Sequence, residues 1–223
     1  MRLIEAIPGL AAYLRDNWET VLELTLQHAF VVLLSVAIAT VIGVALAVLT
    51  YRSPPARELV LRVTGLILTI PSLALYAILI TIPLLGIGTA SVVVALTLYS
   101  LMPIVRNTVT GLLGVDPAIV ESAQGMGMAR WQRLWRIELP LAWPVVLTGI
   151  RLSTLLVVGI ATLGAIINGP GLGELIFRGL GSAGRPFALP IALAGFVGVI
   201  LLAALLDAVF NLVSRLTTSR GLS

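Results

Sequence analysis

Few side chains in this 223-residue chain can do chemistry, and those missing narrow the options. There is no Cys, no Lys and one His, which excludes a disulfide framework and a structural zinc site. A Walker A phosphate loop is excluded as well, because it needs its lysine. His28 stands at the start of an apolar run with no metal-binding partner nearby in sequence, and reads as an interfacial residue. No metal site is expected.

Two charged residues stand out because they lie inside apolar runs. Asp207 precedes Arg215 by eight residues, which places it about 12 Å into a helix. A carboxylate at that depth is costly unless paired or protonated, and Arg151 lies at a comparable depth on another run. The expectation is a structural Arg151–Asp207 ion pair rather than a proton relay, since no second acid is available to pass a proton. The alternative is that Arg151 snorkels to the headgroups while Asp207 faces a wet crevice. Two further runs carry internal prolines, in Thr69-Ile70-Pro71-Ser72 and in Tyr99-Ser100-Leu101-Met102-Pro103, with Pro83 beyond the first. A proline in a spanning helix leaves a carbonyl unbonded, so Pro71, Ser72, Tyr99, Ser100 and Pro103 are candidates for lining a passage. A kink that only helps helices pack is the competing reading.

The densest polar stretch is 121–140, ESAQGMGMARWQRLWRIELP. Asp116 followed by Pro117 is a good helix start, so a short helix is expected over 117–126. Gly125 and Gly127 then let the chain turn. A second, amphipathic helix is expected to set Trp131, Leu134, Trp135 and Ile137 against Arg130, Arg133 and Arg136. Small Ser122 and Ala123 would admit another protein's surface, and Met126 and Met128 beside the bend can adapt to a groove. On spacing alone, a docking knob and an amphipathic loop lying on lipid headgroups are equally served.

These residues are carried by membrane helices. Hydrophobic residues make up 59% of the chain and charged ones 11%, which no ordinary soluble domain matches. Five apolar runs, 29–49, 59–85, 90–113, 141–167 and 187–212, are each long enough to span a hydrocarbon core, and their continuity requires helices rather than barrel strands. The fold class is therefore all-α and polytopic, with one membrane domain over 1–223 and neither an internal repeat nor a separate soluble domain. Residues 1–19 read as an interfacial helix with a stripe of Leu3, Ile7, Leu10, Ala11, Leu14 and Trp18, not as a cleaved signal. Membrane anchoring is the simple role for it, and contact with another subunit the alternative. The Gly-rich segment 168–186 is too polar to cross. It has room for a short helix over 174–180 that would present Glu174 and Arg178 to a partner.

All basic residues are Arg. If 121–140 is cytoplasmic, five spans put Arg52, Arg57, Arg62, Arg106, Arg130, Arg133, Arg136, Arg151, Arg215 and Arg220 inside, against Arg2, Arg15, Arg178 and Arg185 outside. That is the positive-inside bias. It orients the N-terminus outward and the C-terminus toward the cytoplasm, and it accounts for the net charge of +4 without a nucleic-acid partner.

The 121–140 stretch also resembles the coupling loop of ABC-importer permeases, a loose pattern of Glu-Ala-Ala, a Gly six residues after the Glu, and Ile-x-Leu-Pro ending nineteen after it. Glu121, Ala123, Gly127, Ile137, Leu139 and Pro140 fall at those offsets, with Ser122 in place of the first Ala. TIPSLAL from Thr69, LYSLMPIVRNT from Leu98, GMGMARWQ from Gly125 and PGLGELIFRGL from Pro170 resemble, more narrowly, permeases that import glycine betaine, choline, carnitine or proline betaine. The resemblance implies a type I importer-like fold with a coupling-helix loop over 116–140. It also implies an ATPase-coupling surface of Glu121, Ser122, Ala123, Gly125, Met126, Gly127, Met128, Ile137, Leu139 and Pro140.

Partners implied are two ABC ATPase subunits that bind ATP and Mg, a second permease that is identical or a sister chain, and an extracellular binding protein. The chain itself would hold no cofactor, catalyse no reaction, and sit in the inner or plasma membrane among lipids. The competing functions are an importer permease for another small solute, such as an amino acid or an ergothioneine-like betaine, and an ion-driven secondary transporter. The latter should show repeated halves and intramembrane ion ligands.

Overall fold

The computed structural model describes residues 3–217, and its regular structure there is helical. Helix α1 (Leu3–Asp16) leads into α2 (Trp18–Thr50), which is 33 residues or about 50 Å long and so exceeds a hydrocarbon core of about 30 Å. It begins well before the apolar run expected at 29. The first spanning helix therefore projects beyond the membrane at the end that meets α1. Along α1, Leu10, Tyr13 and Leu14 pack on the core, Ala11 is exposed, and Trp18 belongs to α2 with 58% of its surface free. The expected stripe is thus rotated toward Tyr13, because α1 lies against α10. The Leu3 and Ile7 side chains, with Arg2, Arg220 and the rest of 218–223, fall outside the described residues.

The expected second span is not one rod. Helix α3 (Pro54–Thr69) and α4 (Ser72–Leu79) meet at an angle of 96°. Pro71 supplies no N–H and forces Ile70 into extended geometry, φ −67° and ψ 128°. Irregular chain follows, including exposed Pro83, as far as α5 (Thr89–Leu113).

Helix α5 is the axis of the fold. It packs most extensively against α2 and α8 (Leu139–Ala161), and α8 continues into a tighter turn over Thr162–Ile167. The α5–α8 crossing is close because it uses glycine. A Cβ on Gly149 would come within 2.9 Å of the Pro103 carbonyl oxygen and 2.7 Å of Asn107 Cβ. Helix α9 (Gly173–Gly181) falls within the segment expected to hold a short helix, and lies on α10 (Ala188–Thr217). Among the described residues, four helical stretches are long and apolar enough to span, or five when the bent α3–α4 pair is taken as one.

Between α5 and α8 the chain forms the knob. Helix α6 (Pro117–Gly125) and the single turn α7 (Arg130–Arg133) are followed by a wide π-helical turn, Leu134–Glu138, that merges into α8.

Candidate functional site

The knob starts as its sequence dictates. An Asp116 carboxylate oxygen accepts the Ala118 N–H at 2.8 Å with Pro117 in the first turn, so α6 has both an N-cap and a preset first residue. After α6, Gly127 takes φ +81°, a left-handed conformation, and the Met128 N–H returns to the Ala123 carbonyl at 3.2 Å. Gly125 ends α6 without a positive φ, so one glycine of the two makes the turn. Glu121, Ser122, Gly125 and Gly127 are exposed, Met126 is 74% exposed, and Met128 is half-buried. Ala123 is turned inward, so its small size serves the knob's own packing rather than an outer contact. Ile137 and Leu139 are half-buried, and Pro140 sits exposed in the first turn of α8.

The expected second amphipathic face does not form. Leu134 is buried, but Trp131 and Trp135 are 56% and 65% exposed, and Arg133 is buried instead. The π turn is the reason. In an α-helix, residues five apart point about 140° away from each other. Here the Leu139 N–H bonds to the Leu134 carbonyl five residues back, and the wider turn lets Arg133 and Glu138 face one another.

Sequence reasoning missed the centre that results. Glu138 is 2% exposed, and its Oε1 accepts from Arg133 Nε at 3.1 Å and from Arg52 Nη2 at 2.8 Å. Its Oε2 accepts from the Tyr51 hydroxyl at 2.7 Å, which in turn accepts from Arg52 Nε at 2.6 Å. Arg133 Nη1 also reaches Gln124 Oε1 of α6 at 3.5 Å. Burial first, then the Glu138 carboxylate that the hydroxyl donates to, pushes the Tyr51 phenol above its ordinary value, with Arg52 opposing, so Tyr51 remains a donor. The one available signal was an acid between Ile137 and Leu139, where an apolar helix begins.

Within the membrane helices, the structure joins some of the candidate passage residues and separates others. The Tyr99 hydroxyl donates to the Ile70 carbonyl at 2.7 Å, at the α3–α4 break, so the Pro71 bend is held by α5. Pro71 itself is exposed and Ser72 half-buried. Ser100 turns away from the break, whereas Pro103, one turn beyond Tyr99, is half-buried. Ser100 is fully buried, its carbonyl accepts the Ser153 hydroxyl at 2.8 Å, and the Pro103 carbonyl accepts from Asn107 Nδ2 at 2.8 Å.

Arg151 and Asp207 are in contact through two bonds, Nε to Oδ1 at 2.6 Å and Nη2 to Oδ2 at 2.9 Å. Asn211, which the sequence did not single out, accepts from Arg151 Nη1 at 2.8 Å and donates to Asp207 Oδ2 at 3.2 Å. His28 is not interfacial. It has no exposed surface; its Nε2 lies 3.0 Å from the Val158 carbonyl, and its Nδ1 accepts the Leu172 N–H at 3.2 Å. That pairing requires the Nε2–H tautomer, and it ties α2 to α8 and to the start of α9. Its partners are backbone atoms far along the chain, which no local pattern announces.

A bundle of spanning helices, one of them broken at a proline, with a folded polar knob between its third and fourth spans, is the architecture of a transport permease. Residues 39–219 match the family described as binding-protein-dependent transport system inner membrane component, and the chain belongs to that family. The glycine betaine/carnitine/choline transport system permease protein OpuCB of Bacillus subtilis is 37% identical over 213 residues, 96% of this chain and 95% of its own. The osmoprotectant import permease protein OsmW of Salmonella typhimurium is 38% identical over 213 residues, 94% of this chain and 97% of its own. Among solved structures, a crystal form of the MetNI methionine ABC transporter in inward facing conformations matches with a TM-score of 0.80. It covers 89% of this chain and 96% of that chain at 20% identity, a likeness of fold.

Proposed function

We propose that this chain is the permease subunit of an ATP-driven importer for quaternary ammonium osmoprotectants such as glycine betaine, choline or carnitine. One observation carries the reading: near full-length similarity to relatives whose names state those solutes. In this reading two ATPase subunits grip the knob built from 117–133, a second permease completes the passage, and an extracellular protein delivers the solute. ATP and Mg belong to the ATPases. ATP binding closes their dimer, the knobs follow, and the bundle opens outward; hydrolysis reverses the movement. The bias comes from the different affinity of the docked ATPases for the two states.

The knob fits this role by shape and chemistry. Ile119, Met126 and Trp131 offer exposed apolar contact area on the knob, and Glu121 and Arg130 are exposed on it as well. The passage lies beside the Pro71 break and Tyr99, with the N-terminus outside and the C-terminus in the cytoplasm.

The test is reconstitution of the chain with its ATPase and binding protein in vesicles, followed by uptake of labelled glycine betaine, choline and methionine. ATP-dependent uptake of a quaternary ammonium solute is expected; uptake of methionine alone would move the chain to the amino-acid importers. Orientation is checked in this Cys-free chain by Pro55→Cys and Ala183→Cys, both at exposed positions. An impermeant thiol reagent outside intact cells should label position 183 and spare 55, and the reverse pattern inverts the topology.

A further inference from the structure

The knob is weakly held by its own packing. Ala123 is the one buried side chain of α6, and α7 is a single turn. A surface pushed by a motor must nevertheless be fixed to what it moves, or the push bends the knob and goes no further. The fixing is supplied at Glu138. Its carboxylate receives Arg133 from the knob, and Tyr51 and Arg52 from the end of α2, while its own backbone leads into α8.

Three donors on two oxygens leave that side chain no rotational freedom. At 2% exposure, water and salt screen the charges little. Stability alone does not explain the arrangement, because a buried ion pair is often no better than well-packed apolar residues of the same volume. What the arrangement supplies is a fixed mutual position of the knob, the start of α8 and the end of α2, the last of them 87 residues away in sequence. The π turn belongs to the same device, since it is what brings Arg133 round to Glu138, and such turns recur at functional sites.

We propose that Glu138 is the positioning residue that locks the knob onto α2 and α8, so that knob displacement moves both spanning helices as one body. The proposal rests on reading 117–133 as the surface that meets the ATPase. It makes Arg133, Tyr51 and Arg52 parts of one joint.

A distance measurement tests the joint without requiring transport. Spin labels at Ser122→Cys on the knob and Ser53→Cys after α2, both exposed, should give one narrow distance distribution in the otherwise unaltered chain. In the Glu138→Gln background the distribution should broaden or shift, and in Tyr51→Phe it should do so to a lesser degree. If Glu138→Gln does not fold, Tyr51→Phe decides, because it removes a single hydrogen bond and keeps the ring. Distributions unchanged in the variants that fold overturn the proposal.

In reconstituted complexes, solute moved per ATP hydrolysed should fall by about tenfold in Glu138→Gln, inside the range that changes in a coupling network produce. Equal loss of uptake and hydrolysis, with their ratio preserved, overturns the joint as well. If the unaltered complex moves no solute, the functional reading fails while the distance measurement still judges the joint.

Discussion

Two ion-paired centres in this chain use the same chemistry in different surroundings. Around Glu138, side-chain exposure is 2% for the acid and 7% for Arg133, and the three donors come from two places in the sequence, 51–52 and 133. Around Asp207, exposure is 29% for the acid and 38% for Arg151, and the centre joins α8 to α10 alone, with Asn211 one turn further along α10. The first seals its acid and Arg133 inside the chain at the root of the knob, with Arg52, 35% exposed, at its edge. The second opens on the bundle's surface, where lipid or another subunit can complete it. An unpaired Arg133 in the sealed centre has nowhere to turn, whereas a charge in the open centre can seek water or headgroups. The sealed centre should therefore tolerate far less.

The largest effect is expected for Glu138→Leu, which strands two guanidinium groups, one of them buried. The loss should be about 3–5 kcal/mol, read as thermal unfolding of the purified chain in detergent. A loss under about 1 kcal/mol would mean that Arg133 reaches water, and the contrast with Asp207 would collapse.

Next come Asp207→Asn and Arg151→Gln, each expected to cost about 2 kcal/mol, the scale of hydrogen bonds to a charged group, since partial exposure relieves the stranded partner. The double variant should recover much of either loss, and additive single losses would show that the two residues are not energetically linked. With ATP held constant, a proton uncoupler should leave uptake unchanged. Uptake abolished by the uncoupler would turn the pair into a proton path and favour an ion-driven transporter.

His28 offers a third, neutral point of comparison. His28→Leu removes the acceptor of the Leu172 N–H and the partner of the Val158 carbonyl while stranding no charge, so a cost of about 1–2 kcal/mol is expected from the same melting curves. A loss as large as that of Glu138→Leu would mean that burial rather than charge sets the penalty.

What could be read in advance follows from how local each signal is. The spanning helices are continuous apolar runs, and the break at Pro71 comes from a missing N–H, so both can be read from sequence. The shared depth of Arg151 and Asp207 follows from helix rise counted from a charged end. Glu138 was hidden because an acid within a polar island is unremarkable, and its burial depends on a π turn that shifts every later residue around the helix axis. The same shift leaves Trp135 exposed although its spacing suits a buried stripe; Trp131 precedes the turn, and its exposure is not explained by it. His28 was hidden because its Leu172 partner lies 144 residues away, whereas Asn211, one turn beyond Asp207, was within local reach and was missed.

The smallest effects are expected at two glycines, where the difference between surroundings becomes one of backbone alone. Neither Gly125 nor Gly127 has an atom within 4 Å of where a Cβ would stand, so packing plays no part at either. Gly127 holds φ +81°, and Gly125 ends a helix without a positive φ. Gly127→Ala should therefore cost about 1 kcal/mol, and the bulkier Gly127→Val about 1–2 kcal/mol, through the left-handed backbone. Gly125→Ala should be neutral or gain about 0.5 kcal/mol by stiffening the unfolded chain. Opposite signs from neighbours two residues apart, read in melting curves, would place the turn of the knob at Gly127. Equal effects would show that the turn is shared. In reconstituted complexes Gly127→Val should lower substrate-stimulated ATP hydrolysis while membrane insertion stays normal, because under the proposed docking role the turn sets the angle at which the knob meets the ATPase. Unchanged stimulation in that variant would count directly against the knob as the docking surface.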